Sequence, residues 1–487
     1  MPRVSLLFLV SGLFLLSTVF GGCAPQDRYR YETIKSEYAD FACNLARPAT
    51  DNPSAPRCAI NSQLGLKDVL EIAQANNPDL LMALARIERA RAMLAKSAAP
   101  FYPQVNFYTE YIQGDAPSAY LFKAIDQRKL PQATVDFNDP GWFENYESGA
   151  SAGINLFNGG KDFLNRKIAE TGVTISELDR DGIKNRIMAT AIATYYDVLA
   201  ADQFTMVAKE SLQTTRSQLE IMDVRFRSGG ALKTDLLSLQ VRMAESKERL
   251  LQSRNRHRLA QAALAEILGV EPDVPFSIAE TRSYAIDIPG DPLSAVGYAL
   301  LHRPELAGAR EKLRQSKMAL DAAKAGYLPT LDFMTRYYVD DPAMKYNANR
   351  DNWTAGLYLN WKIFDGFATR SERAASLAQL QEAMAADRKT LLAVKFDVKK
   401  AYFNLDEAEE RLRVASSNVQ TAAETFRLVK RQYEGGAANI TRYLEAELAH
   451  NQARIRETSA FFDREKARAQ IARSVGLWTG PGESKKE

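Results

Sequence analysis

Side chains suited to metal, nucleophilic or redox chemistry are sparse in this chain: three histidines and three cysteines among 487 residues. His257, His302 and His450 stand singly among charged neighbours, and no Cys, His, Asp or Glu spacing matches a metal site. Gly229-Gly230 ahead of Lys233-Thr234 has the outline of a phosphate-binding loop. Leu232 stands where that loop needs its last glycine, however, and no strand pattern precedes it. No nucleophile, base and orienting group occur together. The residue inventory therefore implies neither an enzyme nor a cofactor, and the chain must act through its architecture.

The N-terminus indicates where that architecture is built. One positive charge in Met1-Pro2-Arg3 precedes an apolar run, Val4 to Phe20, that is short and interrupted by Ser and Gly. This is the form of a secretory signal and not of a spanning helix. The run ends in small residues before Cys23, resembling the lipobox of bacterial lipoproteins, with Phe20 in place of the usual Leu. Cys23 is then expected to carry lipid as the first residue of the mature chain, and Ala24 lacks the Asp that commonly marks inner-membrane retention. Cys43 and Cys58 follow in a Pro- and Asn-rich stretch, in a compartment where disulfides persist, and are expected to pair. Charge is nearly balanced, 63 basic against 60 acidic residues with no basic block, so nucleic acid is not an expected partner. No later apolar run is long enough to span a bilayer as a helix; a mature chain that crosses a membrane must do so as strands of a closed barrel.

The rest of the chain is a duplication. Asn77-Pro78 and Tyr102-Pro103 return as Arg303-Pro304 and Leu328-Pro329, at an offset of 226. Phe157-Asn158-Gly159 returns as Phe364-Asp365-Gly366, Phe226-Arg227-Ser228-Gly229 as Tyr433-Glu434-Gly435-Gly436, and Leu268-Gly269 as Val475-Gly476, at an offset of 207. The register changes once, by 19 residues, so one copy holds an extra loop between Pro103 and Phe157. That loop, roughly 112–146, reads as a short packed turn with Tyr120-Leu121-Phe122 and Pro131, more a lid-like surface element than a receptor site.

Each copy alternates helical and twofold periodicity. From Leu377 to Tyr433, apart from Asp387, apolar or small residues recur at alternating steps of three and four, the period of a coiled-coil seam. The first copy carries the same seam from Ile187 to Phe226. The proline-free segment from about Lys161 to Ser228 would span ~100 Å as a helix, whereas Leu64 to Ala99 and Ala231 to Leu268 would span ~54 and ~57 Å. Two shorter helices laid end to end thus match one long one. Between them, Val105, Phe107, Thr109 and Tyr111 alternate with Gln104, Asn106, Tyr108 and Glu110, and Ala150 to Leu156 alternate likewise. The second copy repeats this at Leu331 to Val339 and Trp353 to Ile363. Strands of ~10 residues with one apolar, aromatic-edged face and one polar face suit a membrane barrel with a wet interior. A half-buried sheet packed on helices would show a similar alternation. Four strands are too few to enclose a lumen, so a barrel requires several chains.

The order of helix, Tyr-Pro strand, strand ending in Phe-(Asn/Asp)-Gly, long helix, Tyr/Phe-x-x-Gly turn and returning helix ending in Leu-Gly, present twice from about Leu64 to Gly476, resembles the TolC-like outer-membrane efflux proteins. The resemblance implies a mainly α fold with a membrane β-barrel portion: a homotrimer whose chains each give four strands to a twelve-stranded barrel, continuous with a long α-helical coiled-coil barrel in the periplasm. It implies a passive channel-tunnel of a tripartite efflux or secretion system, working with a periplasmic adaptor and an inner-membrane pump. The turns Ser228-Gly229-Gly230 and Gly435-Gly436-Ala437 fall where adaptor contact is expected. By the same resemblance, Asp235 and Tyr433 fall at positions whose links between chains hold the periplasmic aperture shut, and Glu445 falls on a ring of acids in its constriction. Arg442 replaces the acid usual in that ring, and there it would weaken cation attraction or pair with Glu445.

These readings divide the chain into a signal segment (1–22), a lipidated extension (23–63), a first repeat (64–270), a linker (271–290), a second repeat (291–476) and a tail (477–487). A lipid-anchored periplasmic coiled-coil scaffold or adhesin is the competing reading. It accounts for the heptads and lipobox but not for two aromatic-edged strand pairs.

Overall fold

The computed structural model of the chain describes residues 31–32, 35–36, 63–130, 136, 138–272, 274, 276–280, 286–346 and 348–479. The expected signal segment, lipid-bearing Cys23 and the Cys43–Cys58 pair lie outside the described residues. The elements run α1 (Leu66–Asn76), α2 (Pro78–Ser97), β1 (Gln104–Gly114), α3 (Pro117–Asp126), β2 (Phe143–Phe157), α4 (Lys161–Arg227) and α5 (Lys233–Leu268). The second copy runs α6 (Pro292–His302), α7 (Pro304–Lys324), β3 (Thr330–Asp341), β4 (Asp351–Asn360), α8 (Ala368–Glu434) and α9 (Ile440–Val475). The copies agree closely in length: α4 and α8 have 67 residues each, α5 and α9 have 36, and α1 and α6 have 11.

Two differences from the sequence reading have local causes. The first helical run of each copy is broken, because Asn77 and Arg303 each precede a proline and take extended ψ of 126° and 116°. The loop between β1 and β2 is not merely a turn; it holds α3, begun by Pro117 in the first turn, where a missing N–H costs nothing. This loop has 28 residues against 9 between β3 and β4, so it contains the whole 19-residue register change.

The chain forms two compact units. One contains Ala90–Gly172 and Arg314–Glu382 and is built around a single antiparallel sheet in the order β1-β2-β3-β4. The other contains the described residues of Leu45–Arg89, Val173–Leu313 and the chain from Ala383 onward, where the helices pack. Its main core gathers Leu66, Val69, Ile192, Tyr195, Tyr196, Leu264, Leu268 and Phe462, and a second cluster joins Ala299 and Leu306 to Val394, Val398 and Val475. The repeat motifs meet here. Gly269 and Gly476 end α5 and α9 in the left-handed region, at φ of 69° and 81°. A Cβ on Gly269 would lie 2.4 Å from the Asn76 carbonyl, and one on Gly476 would lie 3.0 Å from that of His302. The helix breaks close the same junctions, since Asn77 donates to the Ile267 carbonyl at 2.9 Å and Arg303 to that of Ser474 at 3.0 Å. Among the described residues no helix is long and apolar enough to cross a membrane.

Candidate functional site

The two helical turns are built alike. After α4 the Gly230 N–H reaches the Arg225 carbonyl at 2.8 Å and the Gly229 N–H that of Phe226 at 3.0 Å, with Gly229 at φ 79°. After α8 the Ala437 N–H reaches Gln432 at 2.7 Å and the Gly436 N–H reaches Tyr433 at 3.1 Å, with Gly436 at φ 76°. Both are Schellman closures, which satisfy the last helical carbonyls and need a residue tolerant of positive φ. Ser228, Gly229, Gly230, Gly435, Gly436 and Ala437 are all exposed.

Below the turns lies a small core of Met222, Leu239, Val429, Ile440 and Tyr443. The Tyr433 ring meets that of Tyr443 at a tilt, with centroids 5.1 Å apart, and the Arg225 guanidinium lies 6.0 Å from the Tyr433 ring. Burial raises the pKa of the Tyr433 phenol, with Arg225 opposing and the nearby Asp235 carboxylate adding to the rise. Tyr433 and Asp235 are thus neighbours within one chain. Arg442 and Glu445 sit exposed one turn apart on α9, and among the described residues no ion pair joins them.

Sequence reasoning missed a buried polar cluster deeper in the same bundle. Arg242 and Ser246 of α5, Thr215 of α4 and Glu447 of α9 are all buried. Ser211 donates to Glu447 Oε1 at 3.3 Å, and Arg242 pairs with Glu245 at 3.0 Å. Arg242 Nε and Nη2 and Glu447 Oε2 find no hydrogen-bond partner among the described residues. Burial holds the Glu447 carboxyl above its ordinary pKa, with the Arg242 charge pulling it back. The signal was available in the spacing: Leu239, Arg242, Ser246 and Leu250 step by three and four, which places an arginine in an apolar seam. A polar residue there sets register at some cost in stability.

In the sheet unit, the strand register sorts the side chains into two faces. Val105 pairs with Ala152, Ala152 with Thr335 and Thr335 with Ala355. One face therefore carries Val105, Phe107, Tyr111, Ile154, Phe333, Tyr337, Trp353, Leu357 and Leu359. The other carries Asn106, Tyr108, Asn145, Glu147, Asp332, Arg336, Asp340 and Thr354. The apolar face is open in the isolated chain: Phe107 is 79%, Trp353 73% and Val105 70% exposed. Polar-face groups bond across strands, with Asn155 donating to Asp332 at 2.7 Å and Tyr108 to Glu147 at 2.7 Å.

A mainly helical chain with a four-stranded antiparallel sheet, exposed on its apolar side, is the build of an outer-membrane channel subunit. The sequence matches the family model described as "Outer membrane efflux protein" over residues 69–270 and 295–477, one stretch in each copy. The chain belongs to that family, whose members are outer-membrane channels of efflux and secretion systems and not enzymes. Similar curated proteins include the "Pyoverdine export outer membrane protein OpmQ" of Pseudomonas putida, 22% identical over 84% of this chain and 85% of the relative. "Outer membrane protein OprJ" of Pseudomonas aeruginosa is 21% identical over 96% of this chain and 95% of its own length. Among solved structures, the Campylobacter jejuni CmeC outer membrane channel has a TM-score of 0.75 at 16% identity, covering 90% of this chain and 92% of that one.

Proposed function

We propose that three copies of the chain close a twelve-stranded barrel in the outer membrane, and that the long helices extend the conduit through the periplasm to an adaptor and an inner-membrane pump. The observation that carries this reading is the sorting of the strands, with an apolar face uncovered over all four and the polar groups on the other. The sheet also has two open edges, β1 and β4, which run antiparallel to each other. Unpaired edges demand a partner, and joining β4 of one copy to β1 of the next continues the antiparallel alternation to an even strand number. The apolar face then meets lipid and the polar face lines a passive path for substrate.

The exposed turns at 228–230 and 435–437 are the surfaces offered to the adaptor. Tyr433, Asp235, Arg442 and Glu445 lie within a few turns of them and form the aperture in this reading, while lipid on Cys23 adds an anchor. Purified protein is expected to run as a trimer and to give stable single channels in planar bilayers. Trimers that conduct nothing would favour the lipid-anchored scaffold. At the aperture, Arg442→Asp is expected to shift ion selectivity toward cations; unchanged selectivity and conductance would remove Arg442 from the path.

A further inference from the structure

The described residues 117–128 of the first hairpin's insertion do not extend away from the sheet. Helix α3 lies against the polar side of the strands, and the contacts that hold it are buried. Lys123 Nζ bridges Glu147 Oε2 at 2.7 Å and Asp340 Oδ1 at 2.9 Å, joining α3 to β2 and β3. Gln127 donates to Asn145 Oδ1 at 2.9 Å, and Asn145 donates to Asp340 Oδ1 at 2.5 Å. Asn145 and Asp340 are fully buried, with Glu147 at 4% and Gln127 at 6% exposure. Apolar contact adds to this through Tyr120, whose ring meets that of Phe143 edge-on at 6.5 Å. At the far side of the sheet, Asn352 donates to the Asp126 carbonyl at 3.3 Å and Arg128 to the Asp351 carbonyl at 3.2 Å. The insertion is therefore tied to β2, β3 and β4 at the end of the sheet where the hairpins turn.

We propose that α3 is an inward-folded plug that narrows the outer mouth of the channel, latched by Lys123 to Glu147 and Asp340. This rests on the barrel reading above, in which the polar face lines the lumen. One chain supplies one such helix, so a trimer brings three into the mouth. With a helix diameter of ~10–12 Å including side chains, three fill much of a lumen intermediate between eight-stranded barrels packed by side chains and 16-stranded open channels. Charge gives the latch a second consequence. Lys123 and Arg336 balance Glu147 and Asp340, and Arg336 also pairs with Glu147. Freeing Lys123 leaves two carboxylates facing one guanidinium within this cluster.

The test is labelling of a single introduced cysteine by a membrane-impermeant maleimide added outside intact cells. Thr354 lies on the polar face, level with Arg336 and Ser151, four residues or ~13 Å deeper than Glu147 along the strands. Phe107 lies on the opposite, apolar face. Thr354→Cys is expected to react slowly with α3 in place. It should react on the order of tenfold faster when residues 117–127 are replaced by a Gly-Ser stretch of equal length, and also faster with Lys123→Met, which keeps α3 should the replacement fail to insert; the tenfold figure reflects loss of a side-chain-wide obstruction. Equal rates in the parent and both variants overturn the plug. Acceleration by the replacement alone keeps the plug and overturns the latch. Phe107→Cys is expected to stay slow throughout; labelling as fast as Thr354→Cys in the unplugged variant would overturn the barrel reading itself.

Discussion

The two copies of the repeat match in length at α1 and α6, at α4 and α8 and at α5 and α9, and end their returning helices in the same glycine, yet they differ in the strand hairpins and at the helical turns. Between its two strands the first copy carries α3 and its buried ion cluster, whereas the second turns in nine residues. At the helical turns, the start of α9 is capped by Asn439, whose side chain accepts the Arg442 N–H at 2.9 Å. The start of α5 has Leu232 in that place, exposed and unable to cap, with Asp235 in the first turn. Each copy thus satisfies the positive helix N-terminus by a different means, a carboxylate in one and an amide cap in the other. In the trimer proposed above, duplication would supply a repeated interface, and the departures from it fall at the proposed mouth and aperture.

The largest effects should come from the shared junctions, where the copies can be ranked. Gly269→Ala forces a Cβ against the Asn76 carbonyl in left-handed backbone, and the backbone term alone is about 1–2 kcal/mol. Gly476→Ala has more room against the His302 carbonyl and is expected to lower the melting temperature less. Thermal unfolding of the two variants would break the ranking if Gly476→Ala proved the more damaging.

Next in size are the caps. Asn439→Ala should cost about 1 kcal/mol, and Leu232→Asn should gain a similar amount. Chemical denaturation of the two variants tests whether the asymmetry at the turns is energetic. Reversing the first-turn charges should act more weakly, about 0.3–1 kcal/mol and reduced by salt. Asp235→Arg is expected to destabilise and Arg442→Asp to stabilise, read as melting shifts at low and high ionic strength.

The smallest effect concerns Glu447. Its folded pKa is raised by burial, so the stability associated with its protonated form is complete below the unfolded carboxylate value and is lost as pH rises through the folded one. Glu447→Gln is therefore expected to melt above the parent at neutral pH and to converge with it in acid. A gap that persisted in acid would assign the effect to packing.

Most of the architecture was legible because periodicity records it. The strand faces followed from alternation at 105–111 and 331–339, and the register change located the insertion between Pro103 and Phe157. Alternation overran the end of β4, which stops at Asn360 while Ile363 is 88% exposed. It also missed the first half of β2, where the buried residues are Phe143, Asn145, Glu147 and Gly149 on the polar face. Burial there is created by α3, which no pattern in the strand itself reveals. The helix α3 was hidden for a related reason: Tyr120-Leu121-Phe122 is too short an apolar run to show a period. The turns and aperture positions follow from resemblance and spacing, but the buried Arg242 and Glu447 do not stand out in the sequence, since charge alone does not distinguish a seam from a surface.

The claim on which the account turns is that the two sheet faces meet different solvents. A variant retaining Trp353 as its only tryptophan, compared with a tryptophan-free chain carrying Thr354→Trp, reconstituted in brominated lipid, measures this directly by fluorescence quenching. The account predicts strong quenching of Trp353 and little at position 354. Equal quenching at both positions would contradict it.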